Sequence, residues 1–283
     1  MTFQNSDILS TTQINQFSIP TLYSQIENDH FTKNSLSDSC LSPIFNQIPK
    51  KSSKTRSAGN HNLKKCRYND VLPYDWNRVR LRPLPNIPTN TINSFGQSTP
   101  AKKEDETFIN ASFIHNRKFI AAMGPMDNTI LDFWRMVVEE RVAIIVMLCD
   151  FYENNQEKCA KYFPTSDDEF SVSVIEEIPL SGMVQRRMKI ESPEFPTKEV
   201  LHMQFTNWAD FDAPNSNQDL IRLIRKIKTE SDNCVETGPI VVHCSAGAGR
   251  TGTFIALDMI MEHQNNGGKS CDFFGLGNVL ETI

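Results

Sequence analysis

Residues Val241–Gly252 read VVHCSAGAGRTG, and this stretch decides how the rest of the chain is interpreted. Cys244 and Arg250 stand six positions apart, separated only by Ser245, Ala246, Gly247, Ala248 and Gly249, all small. An apolar β-branched run, Ile240–Val242, precedes them, and a helix-like apolar stretch, Thr253–Met261, follows. Strand, small-residue loop and helix make the layout of an anion cradle. Small side chains let successive N–H groups turn inward around one phosphate-sized dianion. A helix starting near Gly249–Arg250 points its positive end at the same spot. Arg250 offers a planar fork of donors, suited to two phosphate oxygens at once. Cys244 sits at the bottom of that positive cup, where a thiolate is favoured over the thiol. His243 and the hydroxyl of Thr251 are placed to tune it. A nucleophile and a phosphate site at one point imply phosphoryl transfer to sulfur. A bare Cys-x5-Arg arises by chance, and a buried structural Cys in a Gly-rich turn would be the plain alternative. The full string between strand and helix counts against that alternative.

The bulk properties narrow the field. A chain of 283 residues suffices for one large domain, or a domain and a tail. A net charge of −5 without basic bias argues against nucleic acid as a main partner. Seven Cys is an odd number, and there is neither a C-x-x-C pair nor a metal-like cluster. With a reactive-type Cys244, that usage suggests a reducing compartment. No metal and no cofactor are expected. No run reaches the ~18 apolar residues of a membrane span, and the N-terminus lacks a signal-peptide pattern. The expected location is cytoplasmic or nuclear.

Along the chain, nearly half of residues 1–60 are Ser, Thr, Asn or Gln, with no sustained period. Residues 1–62 read as a disordered polar tail ending in a basic cluster, Lys50, Lys51, Lys54 and Arg56. Order is expected from Leu63, giving one domain over 63–283. Leu84–Pro100 reads as a loop. Phe108–Ile114 and Lys118–Ala122 read as short strands. Asn128–Arg141 carries Ile130, Phe133, Trp134, Val137 and Val138 at helical spacing. Ala143–Leu148 suits a central strand buried on both faces. Phe170–Ile178, Val184–Glu191 and Glu199–Phe205 suggest antiparallel neighbours, and Gln218–Lys228 another helix. The fold class that follows is α/β, a twisted mixed β-sheet flanked by helices.

These residues resemble a known family, the protein tyrosine phosphatases, of the intracellular, non-receptor kind. HCSAGAGRTG resembles its signature loop, which implies Cys244 as nucleophile and Arg250 as phosphate-binding arginine, with Ser245–Gly249 as the cradle. Lys65–Tyr68, KCRY, resembles the family's KNRY loop. The resemblance implies that Tyr68 stacks on phosphotyrosine and Asp70 holds the substrate backbone. FIAAMGP at Phe119–Pro125, DFWRMV at Asp132–Val137 and IVML at Ile145–Leu148 are similar to further family segments. Glu153, Lys158, Cys159, Tyr162 and Pro164 resemble the loop of E…KCxxYWP form, with Glu153 and Lys158 in a supporting role. NWADFDAP at Asn207–Pro214 resembles the mobile Trp-Pro-Asp loop, which implies Asp210 as general acid beside Trp208. The chemistry is consistent with the name: the leaving tyrosyl oxygen needs a proton, and a carboxylic acid on a closing loop can supply it. The implied partners are phosphotyrosine-containing proteins; the oligomeric state is not readable.

Three departures stand out. Ala209 replaces the family's Pro, which loosens the loop and should slow turnover. Cys66 replaces Asn. The chain ends at Ile283, where the family continues into a helical segment with a Gln-containing loop, so the domain is read as cut short. Two functions therefore stay open: a phosphatase acting through a cysteinyl-phosphate intermediate, and an impaired domain that binds or traps phosphotyrosine. A dual-specificity phosphatase or sulfur-transfer enzyme is disfavoured by Tyr68, and a Cys protease by Arg250. Cys66 and Cys159 are read as inert.

Overall fold

The computed structural model describes residues 54–83, 90–92, 98–100, 106–209, 214–235 and 238–267. In chain order the strands are β1 (Arg78–Arg80), β2 (Asn90–Ile92), β3 (Ser98–Pro100), β4 (Phe108–Ile114), β5 (Phe119–Ala122), β6 (Ile144–Met147) and β7 (Tyr152–Glu153). They continue with β8 (Gln156–Glu157), β9 (Thr165–Ser166), β10 (Ser171–Leu180), β11 (Met183–Glu191), β12 (Lys198–Phe205) and β13 (Ile240–His243). The α-helices are α1 (Ser57–His61), α2 (Ile130–Glu139), α3 (Asn217–Asp232) and α4 (Gly249–Asn265).

Nine strands form one mixed sheet in the order β1-β4-β5-β13-β6-β12-β11-β10-β9. The middle four, β5, β13, β6 and β12, run parallel. The flanking pairs are antiparallel. A sheet of this size twists with the fixed hand of its strands. The sequence explains the division. IIVM in β6 and IVV in β13 are continuous apolar runs, and every position of both strands is buried, as parallel strands covered on both faces require. Most of β10 is exposed, and it pairs in a long hairpin with β11 through a turn at Gly182, where φ is +71°. The antiparallel relation of β10, β11 and β12 is the one the sequence suggested.

Packing fixes the frame. On α2, Phe133, Trp134, Met136 and Val137 are almost fully buried, and Trp134 Nε1 donates to the Tyr162 carbonyl at 3.0 Å. On α3, the Ser216 hydroxyl caps the first turn by accepting from the Asp219 N–H. On α4 every residue from Arg250 to Ile260 is buried, so this helix lies in the core rather than on it. Lys118 Nζ, at the start of β5, ties α4 down through Asp258 (2.8 Å) and Glu262 (2.7 Å).

Two expectations need correction. The boundary at residue 63 was set too late. Residues 57–61 form α1, Ala58 is buried, and the Asp75 carboxylate accepts from the Ser57 and Ala58 N–H groups at the helix start. The segment read as a loop over 84–100 contains β2 and β3, which pair antiparallel. Strands as short as β1, β2, β3 and β7–β9 carry too few residues to leave a period in the sequence. The expected tail over residues 1–53, with Lys50 and Lys51, lies outside the described residues, as does the expected cut-short helix near Asn278–Ile283.

Trp134→Ala should lower unfolding free energy by about 3–5 kcal/mol, whereas Val235→Ala, at a position 97% exposed, should change it by less than about 0.5 kcal/mol. Urea unfolding of the two variants beside the parent measures both.

Candidate active site

β13 delivers the chain to the carboxyl end of the parallel strands, where ligand sites of α/β sheets form. The loop Cys244–Ala248 follows, and α4 begins at Gly249, its positive end at the loop. Cys244 is 3% exposed. The loop is held by close backbone passage. The Gly124 N–H donates to the Ser245 carbonyl at 3.0 Å. A Cβ at Gly124 would collide with the Cys244 carbonyl oxygen. Gly247 has φ +77°, and a Cβ there would lie 2.5 Å from the Ala122 carbonyl. Gly124, the glycine of FIAAMGP, is the floor against which the loop is pressed.

Arg250 is 6% exposed and fixed from two sides. Its Nη1 donates to Glu153 Oε1 at 2.7 Å and to the Trp208 carbonyl at 3.0 Å. Burial works against its charge, but the facing Cys244 and Glu153 outweigh burial and push its pKa above the ordinary guanidinium range. Glu153, from β7, also accepts from the Asp150 N–H at 3.1 Å, so the carboxylate is oriented before it meets the arginine. Lys158 is buried just past the β7–β8 hairpin, its Nζ 3.4 Å from Gln156 Oε1. Trp208, 4% exposed, packs edge-on against Phe205. Ala209 beside it is exposed, and Asp210 lies outside the described residues.

Tyr68 reaches the cradle: its hydroxyl is 3.0 Å from Ser245 Oγ. The KCRY loop that carries it is anchored on both sides. Lys65 pairs with Asp132 on α2 at 2.9 Å. Arg67 donates to the Pro125 carbonyl at 2.8 Å and to Glu157 Oε1 at 3.2 Å. The Arg67 N–H points at Met123 Sδ, 3.0 Å away. Asp70 is exposed, its side chain open to solvent beside Tyr68, and its carbonyl accepts from Arg56.

The expected tuning of Cys244 takes a different form. The Thr251 hydroxyl is buried with no hydrogen-bond partner among the described residues, so it makes no bond to the thiol. His243 is fully buried, and its Nδ1 lies 3.3 Å from the Cys244 carbonyl rather than at the sulfur. Its Nε2 lies 2.8 Å from the Tyr162 hydroxyl, which is also 2.8 Å from Nε2 of a second buried histidine, His202. Burial brings the His243 pKa down to about 4 and that of His202 well below its usual value. Nothing in the sequence singles out His202, one polar residue inside the strand KEVLHMQF. Cys66, Cys149, Cys159, Cys234 and Cys244 are free thiols. Burial raises the Cys66 pKa, and the neighbouring Cys159 together with burial raises that of Cys149, in keeping with inert packing roles.

Three outcomes follow. Gly124→Ala should displace the cradle and abolish binding of a phosphate analogue such as vanadate, read by calorimetry, while Gly267→Ala, where a Cβ meets nothing within 4 Å, should leave binding unchanged. Glu153→Ala should cost about 3 kcal/mol of stability, because it leaves the Arg250 charge buried without its carboxylate. The depressed histidines make stability pH-dependent. The unfolded chain takes up the His243 proton near pH 6.5 and the folded one only near 4, so this contribution is complete above pH 6.5 and lost as pH falls to 4. At about 1.4 kcal/mol per unit it amounts to about 3 kcal/mol. Urea midpoints at pH 7 and 4.5 should differ, and His202→Gln should reduce the difference by removing one such group.

Residues 62–282 match the family model described as protein-tyrosine phosphatase. Receptor-type tyrosine-protein phosphatase C of Mus musculus is 36% identical over 244 residues, 82% of this chain and 17% of that protein. Receptor-type tyrosine-protein phosphatase alpha of Homo sapiens is 36% identical over 214 residues, 71% of this chain and 24% of that protein. This chain thus spans a quarter or less of the length of either relative. Both are receptor-type, so the non-receptor reading draws no support from them. A solved structure reported as the structural basis of the PTPN18 fingerprint on distinct HER2 tyrosine phosphorylation sites matches with a TM-score of 0.67 at 25% identity. The match covers 93% of this chain and 86% of that one. With its signature loop, sheet order and buried arginine in place, the chain belongs to the protein-tyrosine phosphatase family.

Proposed function

We propose that this chain hydrolyses phosphotyrosine in proteins through a cysteinyl-phosphate intermediate. One observation carries the reading: Cys244 lies at the positive end of α4, facing a charge-fixed Arg250, with Tyr68 held against the same loop. A phosphate seated on the Ser245–Gly249 backbone would have its equatorial oxygens met by N–H groups and by the arginine fork. The Cys244 sulfur then attacks phosphorus; an S–P bond forms and the bond from phosphorus to the tyrosyl oxygen breaks. Asp210 gives its proton to that oxygen. In the second step a water attacks phosphorus, Asp210 takes its proton, the S–P bond breaks and inorganic phosphate leaves.

Tyr68 and Asp70 support the substrate class. Tyr68 offers an aromatic face at the rim of the cradle, and the exposed Asp70 beside it offers a carboxylate to substrate backbone N–H groups. The Arg250 bond to the Trp208 carbonyl fixes the root of the segment that carries Asp210. Among the described residues no helix is long and apolar enough to cross a membrane. We take the chain's setting to be cytoplasmic or nuclear, its partners to be phosphotyrosine proteins, and its kind to be non-receptor.

Purified protein given a phosphotyrosine peptide should release phosphate continuously. Cys244→Ser should abolish release while retaining the peptide, and Asp210→Ala should slow turnover by about 10²–10⁴-fold. Turnover unchanged in Cys244→Ser would remove the proposed nucleophile. A single burst without steady release would favour a phosphotyrosine-trapping domain.

A further inference from the structure

We propose that Met123 is a positioning residue for substrate: its thioether sets how far Tyr68 stands from the Cys244 loop, and so the reach of the phosphorylated side chain that the site accepts. The inference rests on the phosphotyrosine reading above. Met123 follows directly on β5 and is 6% exposed. Its backbone faces the Cys244 loop, and its side chain faces the KCRY segment. A Cβ on Gly247 would lie 2.7 Å from the Met123 nitrogen, so the two chains pass with no side chain between them. The Met123 N–H donates to the Asn110 carbonyl on β4 at 3.0 Å, which fixes this backbone to the sheet. The thioether runs the other way, bringing Sδ to 3.0 Å from the Arg67 nitrogen, whose N–H it accepts.

These contacts close a ring. The Arg67 N–H meets Met123 Sδ. The next residue, Gly124, donates its N–H to the Ser245 carbonyl at 3.0 Å. Ser245 Oγ lies 3.0 Å from the Tyr68 hydroxyl, and Tyr68 is joined to Arg67 by the peptide bond. On the side of the Cys244 loop the link is backbone to backbone, and its length is fixed. On the substrate side the length is set by one unbranched side chain. The other anchors of the segment act elsewhere. Lys65 pairs with Asp132 at one end, and Asn110 Nδ2 donates to the Val71 carbonyl at 2.9 Å at the other. The Arg67 guanidinium reaches out to the Pro125 carbonyl and Glu157. Met123 Sδ takes the backbone N–H next to Tyr68 itself, and among the described residues that N–H has no other partner.

The consequence follows from what a thioether can do. Its sulfur is a weak acceptor on a flexible stem, able to meet a donor that a branched aliphatic leaves unmet. Without it, the Arg67 N–H is left beside an apolar residue, and the backbone that carries Tyr68 is released from its seat. The aromatic face then has no fixed height above the loop, and a substrate must order it on binding. A ligand that reaches Tyr68 through an aromatic ring feels this; a bare oxyanion held by the loop and Arg250 does not.

Three measurements test the proposal: hydrogen exchange of the Arg67 amide, calorimetric binding of a phosphotyrosine peptide in the Cys244→Ser background, and vanadate binding with Cys244 intact. Met123→Leu, of similar volume but without the acceptor, should speed Arg67 exchange about 3- to 10-fold, the worth of one hydrogen bond. It should weaken the peptide over the same range and leave vanadate affinity unchanged. Met123→Gln, whose amide oxygen has a similar reach, should restore both exchange and peptide affinity. A merely structural loss would weaken vanadate together with the peptide. Parent-like peptide affinity in Met123→Leu, an equal loss of vanadate, or no rescue by Met123→Gln would overturn the proposal. If Met123→Leu does not fold, Met123→Gln decides: parent-like exchange and affinity support the role of the acceptor, and loss of either overturns it. Arg67 exchange that responds as expected in a protein that neither binds nor hydrolyses the peptide would remove the phosphatase reading and leave Met123 as the anchor of Tyr68. A parent that hydrolyses the peptide, with Met123→Leu indistinguishable from it in exchange and affinity, would remove the proposal and leave the phosphatase reading.

Discussion

A positive charge buried at Arg250 is the constraint around which the site is arranged. A guanidinium that is 6% exposed cannot stay without partners, since an unpaired buried charge costs several kcal/mol. Among the described residues, separate parts of the chain answer it: Glu153 from β7, the Trp208 carbonyl beyond β12, and Cys244 in its own loop. Satisfying one side chain therefore brings together a hairpin, a loop root and the cysteine proposed as nucleophile. The arginine fork that suits phosphate is preorganised by the same contacts, which is the condition for electrostatic catalysis rather than mere binding.

The second constraint is steric. Gly124 and Gly247 press the signature loop against the end of β5 so closely that neither position accepts a side chain. The loop has a further contact in Tyr68, whose hydroxyl lies 3.0 Å from Ser245 Oγ. The KCRY loop that carries Tyr68 is itself stapled to α2 through Lys65 and Asp132. Burial raises the Asp132 pKa despite the lysine, so this staple is strongest once the carboxyl is ionised. Parallel strands supply the floor, the N-terminus of a fully buried helix supplies the field, and aromatic packing beneath keeps water away from the histidine chain.

Much of this was legible in the chain. The apolar runs of β6 and β13, the helical spacing in α2 and the three long antiparallel strands set a mixed α/β sheet, because long elements average their pattern over many residues. The loop Cys244–Ala248 was legible for the opposite reason: it is short, but the chemistry proposed for it needs small residues, a thiol and an arginine at one fixed spacing. Elements of two or three residues, such as β7 and β8, escaped notice, although β7 presents Glu153. The boundary at residue 63 also misled, since α1 is held not by its own five residues but by Asp75 far along the chain.

Local patterning and spacing alone thus set the mixed sheet and the strand–loop–helix that holds Cys244 and Arg250, the residues proposed as nucleophile and phosphate-binding arginine. Only the tertiary structure decided what those residues lean on. Thr251, adjacent to Arg250 in sequence, makes no hydrogen bond to the nucleophile, while His202, 42 positions from Cys244, is tied to it through Tyr162 and His243. Sequence records the identity of a polar residue but not which burial environment it enters, nor which donor meets which acceptor. Those pairings depend on strand register across β12, β6 and β13, a long-range property set by the packing of the whole sheet.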